Sequence, residues 1–279
     1  MTPTGLEPWI LPAVNASLAM YKNQDQIKDF WGKFLKLFGS KKAILAVTGM
    51  PAVGKTVLLE HVSGQAYRAG YVPPGKSDRP EKAKVKGART LVVTAFPGQQ
   101  TPVRADAMNK VFEGKTPVAG VLHVVSNGYT KTRGEWSPAV LQQAGADTLD
   151  KFRSWQMAEE VKDLQRTGVE IRRSWQKHRR PMWMIVAVNK VDLFAEPEQL
   201  AAARDSYTAA SSPFREELDQ LTEHIGSDNF HWTTLPACNW LESFTWGSQQ
   251  IPSTLNVGQR DVLVYQLSRS LQAHASAYD

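Results

Sequence analysis

Residues 49–56 have the pattern of a phosphate-binding loop. They read GMPAVGKT, which fits G-x-x-x-x-G-K-[ST] at every fixed position, between an apolar run and a helical pattern. Glycines let the backbone bend so that successive N–H groups converge on a polyphosphate, and the following helix adds its N-terminal partial positive charge. The lysine of such a loop reaches phosphate oxygens, and its final hydroxyl binds Mg²⁺. The residues expected at the phosphates are Gly49, Pro51, Ala52, Val53, Gly54, Lys55 and Thr56, with Thr56 as the metal ligand.

A second motif has the chemistry to distinguish one purine from another. Residues 185–192 read IVAVNKVD, an apolar run that ends in Asn189, Lys190 and Asp192. A carboxylate at Asp192 can accept both the N1–H and the 2-amino group of guanine, whereas adenine would leave it unsatisfied. The stem of Lys190 can cover the base, and Asn189 can bond the base edge or tie this loop to the phosphate loop. Such loops also cap helices, so the motif gains meaning only from its position after a phosphate-binding loop.

These two motifs, in this order, resemble those of the Ras-like and translation-factor-related P-loop GTPases, as a divergent G domain of bacterial type. The resemblance implies GTP or GDP and Mg²⁺ as cofactors. It also implies that Ala237 or Cys238, in the segment TLPACN, offers a backbone N–H to guanine O6. In the segment PGQ, it implies that Gly98 senses the γ-phosphate and that Gln99 orients the attacking water.

The middle of the chain departs from that family. The position of the family's metal-linked aspartate holds Ala95, and no Asp or Glu occurs between Glu81 and Asp106. Ser77 is the substitute for the expected switch threonine. Two functions therefore remain open: a slow Mg²⁺-dependent GTPase that acts as a conformational switch, or a GTP-binding interaction module with negligible hydrolysis. A P-loop ATPase is a third, and it would ignore Asp192.

The remaining pattern predicts the elements that hold these motifs. Five short apolar runs without polar alternation are typical of strands covered on both faces, at 43–47, 90–95, 118–125, 182–188 and 230–235. Helical patterns fall at 56–68, 102–113, 138–176, 197–224 and 257–275. Because strands and helices alternate, we expect an α/β P-loop three-layer sandwich with a mostly parallel sheet, the Ras-like G-domain fold. His123 is expected to be a core residue of its strand.

The segments outside the strands suggest domain organisation and partners. Residues 1–40 are expected to form an N-terminal helical extension, and residues 41–279 the G domain with a helical insertion at about 127–180. Residues 70–90 are rich in Pro, Gly and charge, which favours a mobile loop ordered by nucleotide. A protein partner is expected at 70–104 or at the insertion. Residues 27–42 mix aromatics with lysines, so they either touch a membrane surface or pack on their own domain.

Composition narrows the class of protein. The 279 residues are 42% hydrophobic and 22% charged, which is typical of a soluble globular protein. A single cysteine excludes an intramolecular disulfide and fits a reducing, cytoplasmic setting, with or without peripheral membrane contact. No apolar run is long enough for a transmembrane helix, and the start lacks signal-peptide features. The net charge of +6 suits an anionic partner such as a nucleotide, but no nucleic-acid motif is indicated.

Overall fold

The structure, a computed structural model, describes residue 9 and the ranges 43–62, 65–67, 70–74, 81–86, 90–96, 101–131, 138–143 and 145–277. Ser77, Gly98, Gln99 and the segment 27–42 lie outside these ranges, so the expectations placed on them stay predictions. Within the N-terminal 40 residues, Trp9 alone is described, and it is buried in the protein core.

One mixed sheet of six strands, in the order β2-β3-β1-β4-β5-β6, forms the centre of the molecule. Its strands are β1 (Ala43–Thr48), β2 (Glu81–Lys86), β3 (Thr90–Ala95), β4 (Val118–Val125), β5 (Met182–Val188) and β6 (Phe230–Pro236). All neighbours pair in parallel except β2 and β3, which are antiparallel. The five strands predicted from apolar runs are confirmed, and so is the mostly parallel α/β fold.

The expectation of a mobile loop over 70–90 was wrong for residues 81–86, which form β2. These residues read EKAKVK, in which lysines alternate with Ala83 and Val85. A period of two is the pattern of a half-covered strand, and β2 lies at the edge of the sheet, where lysines hinder pairing with other chains. A further short hairpin, β7 (Phe244–Trp246) and β8 (Gln249–Ile251), was also missed.

The described part of the chain contains seven α-helices. Two segments that were each predicted as one helix are each divided into two helices in the structure. They are α1 (Lys55–Val62), α2 (Pro102–Phe112), α3 (Pro138–Gln143), α4 (Leu149–His178), α5 (Pro197–Thr208), α6 (Pro213–Ile225) and α7 (Val257–Ala277). The helix predicted over 138–176 is divided because Thr148 caps a new N-terminus, accepting from Lys151 N. The helix predicted over 197–224 is divided at Ser212, whose hydroxyl caps α6 ahead of Pro213.

Helices cover both faces of the sheet, as a three-layer sandwich requires. Successive strand residues point to opposite faces, so Leu45 and Val47 lie in one core cluster and Ala46 lies in the other. The first cluster includes residues of α1 and α7, and the second includes residues of α2, α4, α5 and α6. No helix among the described ranges is both long and apolar enough to cross a membrane.

Parallel pairing brings the carboxyl ends of five strands, β1, β3, β4, β5 and β6, to one edge of the sheet. The loops after β1, β4, β5 and β6 therefore meet there. These loops carry both of the motifs found in the sequence, and ligands of open α/β sheets bind at this edge.

Candidate nucleotide site

The loop after β1 has the geometry of an anion cradle. It ends at the N-terminus of α1, where Leu58 N donates to Gly54 O at 3.0 Å. Lys55 is buried, and its ammonium donates to the carbonyl oxygens of Gly49 at 2.8 Å and Met50 at 2.5 Å. The cation is therefore held over the loop itself, beside the helix N-terminus that favours negative charge.

The two sequence motifs meet at Gly54 and Asn189, which are 135 positions apart in sequence. Gly54 has a φ of +99°, and a Cβ placed on it would lie 2.5 Å from Asn189 Nδ2. Only glycine allows this approach, because any side chain would be strained in φ and would displace the amide. The Asn189 side chain is buried and donates from Nδ2 to Val53 O at 2.7 Å. Asn189 therefore ties the loop after β5 to the loop of residues 49–56, which is one of the two roles predicted for it.

Asn239 completes this link and was missed by the sequence interpretation. Its backbone N–H donates to Asn189 Oδ1 at 3.1 Å, and its side-chain amide donates to Gly54 O at 3.3 Å. It is the last residue of TLPACN, so its neighbours were assigned to the site while it was not. The available signal was an asparagine in the short loop that follows the fifth apolar run.

The Asp192 carboxylate has one oxygen engaged and one without a partner. Asp192 is 1% exposed, and Cys238 Sγ donates to its Oδ1 at 3.4 Å. Its Oδ2 has no hydrogen-bond partner in the described part of the chain. Burial raises the pKa of Asp192, and hydrogen bonding from the Ser253 and Cys238 side chains and from the backbone of Glu242 and of Asp192 itself opposes the shift. An orphaned buried acceptor is costly, so this oxygen is ready to accept from a ligand.

The backbone around Asp192 is fixed on two sides. Val191 N donates to Ala237 O at 3.3 Å. Both the N–H and the hydroxyl of Thr254 donate to Asp192 O at 2.9 Å. Thr254, which follows the β7–β8 hairpin, was not anticipated from the sequence. The carboxylate is thus presented by a loop that other segments hold in place.

The loop after β6 changes one prediction. Ala237 N donates to Val188 O at 2.8 Å, so this amide extends the strand ladder and is not available to a base. Of the two residues predicted to meet guanine O6, Cys238 is the one that remains available. Burial raises the pKa of the Cys238 thiol well above its usual range, with the Asp192 carboxylate adding to the shift.

Lys190 is turned toward the loop that follows β4. It has a left-handed φ of 64°, and its ammonium donates to Tyr129 O. Burial lowers the pKa of Lys190 to about 8, Lys131 lowers it further, and the carboxylates of Glu242, Asp192 and Glu160 oppose the shift. The Lys190 ammonium is therefore held by the Tyr129 carbonyl, close enough to Asp192 for that carboxylate to stabilise its charge.

Thr56 is the predicted Mg²⁺ ligand, and Ala95 occupies the position at which a second, acidic residue was expected. Thr56 is the second residue of α1, at the end of the cradle. Ala95 is buried at the carboxyl end of β3, paired with Val47, where the family resemblance implies an acid. The described residues contain no group of three or more His, Cys, Asp or Glu that could hold a metal ion. With the Thr56 hydroxyl but no carboxylate at position 95, the site fits a Mg²⁺ ion whose other ligands would be nucleotide phosphates and water.

His123 is a core residue, as predicted, but it lies next to the cradle. Its Nδ1 and the Thr48 hydroxyl are 2.8 Å apart, and Thr48 directly precedes Gly49. Burial lowers the pKa of His123 to about 4, opposed by Asp163 and assisted by Arg104 and Lys55. The ring is therefore neutral at pH 7 and acts as packing beneath the loop.

Comparison with solved structures supports the fold. The chain is similar to Toc33 from Arabidopsis thaliana in complex with GDP and Mg²⁺, with a TM-score of 0.50 and 14% identity over 92% of this chain and 93% of that chain. For the Arl6 BBS3 small GTPase from Trypanosoma brucei with bound GppNp, the TM-score is 0.46 at 13% identity, over 86% of this chain and 100% of that chain. No protein-family model and no curated protein matches the chain. The likeness to Toc33 confirms the Ras-like G-domain fold predicted from the sequence.

Proposed function

We propose that this chain is a guanine-nucleotide-binding protein that uses GTP and GDP as a conformational switch. The observation that carries the proposal is the buried Asp192 carboxylate at the sheet edge, whose Oδ2 has no hydrogen bond of normal geometry in the described part of the chain, although Ser253 and the Glu242 backbone lie near the carboxylate. Guanine offers two parallel donors, N1–H and the 2-amino group. The Asp192 carboxylate can accept from both if the Cys238 thiol gives up its bond to Oδ1 when the base binds. Adenine offers no such pair and would leave the carboxylate unsatisfied.

The phosphates would occupy the cradle of residues 49–56. Lys55 exchanges its contacts with the loop carbonyls for contacts with phosphate oxygens, and the N-terminus of α1 adds its partial positive charge. At the base, Asp192 reads the purine edge, the stem of Lys190 covers the ring, and the Cys238 N–H meets guanine O6. Asn189 keeps the distance between the two ends fixed.

Mg²⁺ would be held by the Thr56 hydroxyl together with the nucleotide phosphates. When bound, the ion neutralises charge on the β- and γ-phosphates. Gly98 and Gln99, in the segment after β3, are the residues proposed to sense the γ-phosphate and to orient the attacking water. Hydrolysis is expected to be slow because the strand end that should carry an acid holds Ala95.

A second candidate function follows from the same alanine. A buried Ala95 in place of a carboxylate favours a module that binds GTP, recruits a partner and does not turn the nucleotide over. Single-turnover hydrolysis of GTP with Gln99→Leu separates the two. A measurable rate that falls at least tenfold in Gln99→Leu supports the switch enzyme. Bound GTP that remains intact in the wild type supports the module.

Calorimetry with GDP and ADP tests nucleotide binding itself. We expect GDP to bind with at least a hundredfold preference over ADP, because ADP leaves Asp192 unsatisfied. Lys55→Ala removes the buried cation of the cradle and should abolish most of the affinity. Lys162→Ala, at an exposed lysine of α4, is the matched control and should bind as the wild type does. Equal affinity for ADP and GDP would contradict the proposal.

The remaining expectations concern organisation and partners. We propose that residues 41–279 form the G domain, with 127–180 as its insertion and 1–40 as its extension. A protein partner is proposed at 70–104 or 127–180, since one range follows the cradle helix and the other includes the long helix α4. A cytoplasmic location, with or without peripheral membrane contact through 27–42, completes the proposal.

A further inference from the structure

The turn after β4 is held by side chains from two helices. Glu160, in the middle of α4, is 1% exposed. Its Oε1 accepts from Ser126 N at 2.9 Å, from Ser126 Oγ at 3.3 Å and from Gly128 N at 3.4 Å. Its Oε2 accepts from the hydroxyl of Tyr207, a residue of α5, at 2.6 Å. Burial raises the pKa of Glu160, and all of these partners are donors that stabilise the ionised carboxylate and oppose the shift.

Tyr207 extends the same network to the remaining amide. Its hydroxyl accepts from Asn127 N at 2.9 Å while it donates to Glu160. The N–H groups of three consecutive residues, 126 to 128, are therefore bonded to two side chains instead of to a strand or helix. Asn127 and Gly128 have positive φ values of 51° and 76°, so the turn has an unusual backbone that needs such support.

This turn contacts the base-reading loop on both sides of Asp192. On one side, Tyr129 O accepts from the Lys190 ammonium. On the other, the Tyr129 ring stacks on Phe194, with centroids 5.7 Å apart and planes inclined by 8°. A displacement of Tyr129 would therefore move the loop that presents Asp192.

Charge links the same residues. Among the charged groups around half-buried Lys190, Lys131 disfavours the ammonium, whereas the carboxylates of Glu242, Asp192 and, to the smallest extent, Glu160 stabilise it. The nearest charged groups around Lys190 thus come from α4, from the loop after β4, from its own loop and from the loop after β6. Glu160 acts on Lys190 both through the turn and through its charge.

We propose that Glu160 is a positioning residue for guanine recognition, which sets the place and the charge of Lys190 through the Tyr207-supported turn at 126–129. The inference rests on the proposed function, because it assigns Glu160 to the same purine site. It predicts that nucleotide affinity depends on a buried carboxylate that does not touch the nucleotide.

The experiment measures GDP affinity across pH for the wild type, Glu160→Gln and the control Glu159→Gln. Glu159 is the preceding residue of α4 and forms a surface pair with Lys162, so the control repeats the carboxyl-to-amide change outside the network. In the wild type, affinity should fall as pH rises through about 8, where Lys190 loses its charge. Glu160→Gln should weaken GDP about tenfold at neutral pH and move the fall in affinity to lower pH. Glu159→Gln should match the wild type in both respects.

A second variant keeps the inference testable if Glu160→Gln does not fold. Tyr207→Phe removes the hydroxyl that serves Glu160 and Asn127 but leaves the carboxylate. It should weaken GDP several-fold, roughly by one lost hydrogen bond, with the pH profile unshifted.

The outcomes separate this inference from the function beneath it. A wild type that does not prefer GDP over ADP refutes the proposed function. Normal wild-type binding, with a folded Glu160→Gln that equals Glu159→Gln, overturns the positioning role alone. A folded Glu160→Gln that loses affinity without a shift in pH profile also overturns it, because a merely structural residue would give that result.

Discussion

Substitution of Asn189 by alanine tests whether the two ends of the site are mechanically linked. Asn189 is 2% exposed and donates to Val53 O at 2.7 Å while it accepts from Asn239 N at 3.1 Å. The alanine removes both bonds and leaves a buried carbonyl and a buried N–H without a side-chain partner. The cradle and the loop after β6 then keep only the bond from the Asn239 side-chain amide to Gly54 O at 3.3 Å.

The magnitude follows from the two lost contacts. Each buried hydrogen bond contributes about 1 kcal/mol net, and each abandoned partner adds part of its desolvation cost. We therefore expect Asn189→Ala to lower the free energy of unfolding by about 2–4 kcal/mol. Affinity for GDP should fall by about tenfold or more, because phosphate and base are bound by loops whose spacing is no longer preorganised.

Urea unfolding gives the stability change, and titration with a fluorescent GDP analogue gives the affinity. Asn256→Ala is the matched control, since Asn256 caps the exposed start of α7 by accepting from Gln259 N at 3.0 Å. The control should lose about 1 kcal/mol of stability and no affinity. If Asn189→Ala matches this control in both measurements, the link inferred from the structure is refuted.

Two further predictions concern the buried ionisable groups beneath the cradle. The side chains of Arg104 and Asp163 are 3% and 0% exposed, and an Arg104 guanidinium nitrogen lies 2.7 Å from Asp163 Oδ1. Asp163→Asn should therefore lower the free energy of unfolding, measured in urea, by about 3–5 kcal/mol. Asp219→Asn, which breaks the exposed pair with Arg215, is the control and should lower it by under about 1 kcal/mol. Since the pKa of His123 is lowered from 6.5 to about 4, the unfolded chain binds its proton more readily, and stability should fall as pH drops from 6.5 toward 4. His123→Asn should flatten this pH slope, whereas His224→Asn at an exposed position should not.

Much of the fold could be predicted because parallel strands buried on both faces have a strong sequence signal. The apolar runs before Gly49 and Asn189 are uninterrupted, and each ends at its motif. Residues 81–86 were not recognised as a strand because β2 is an edge strand whose sequence alternates lysine with apolar residues, and a lysine-rich segment was interpreted as a loop. The β7–β8 hairpin was missed because strands of three residues carry almost no periodicity.

The candidate site was predictable where one motif contains the chemistry and unpredictable where distant residues supply it. Residues 49–56 and Asp192 follow from spacing and residue type. Asn239 was adjacent to a recognised segment, but its role depends on contact with Gly54 at a separation of 185 positions. The Glu160–Tyr207 pair spans 47 positions on two helices, and only packing brings the two side chains together.

The arrangement separates the residues of the proposed purine site from the strand end proposed to limit hydrolysis. The cradle, Asn189 and Asn239 form one bonded unit at the sheet edge, next to Asp192 and its partner Cys238, whereas the strand end at Ala95 carries no acid. In the proposed function, binding depends on the first group and hydrolysis on the second, so the two properties can diverge.

Calorimetry of Asp192→Asn with GDP and xanthosine diphosphate tests the central claim most directly. Xanthine replaces the 2-amino donor of guanine by an acceptor, and an asparagine amide offers one acceptor and one donor in place of two acceptors. The wild type should prefer GDP, and Asp192→Asn should reverse the preference, each by on the order of a hundredfold. An Asp192→Asn protein that keeps the wild-type preference would contradict the assignment of Asp192 as the residue that reads guanine.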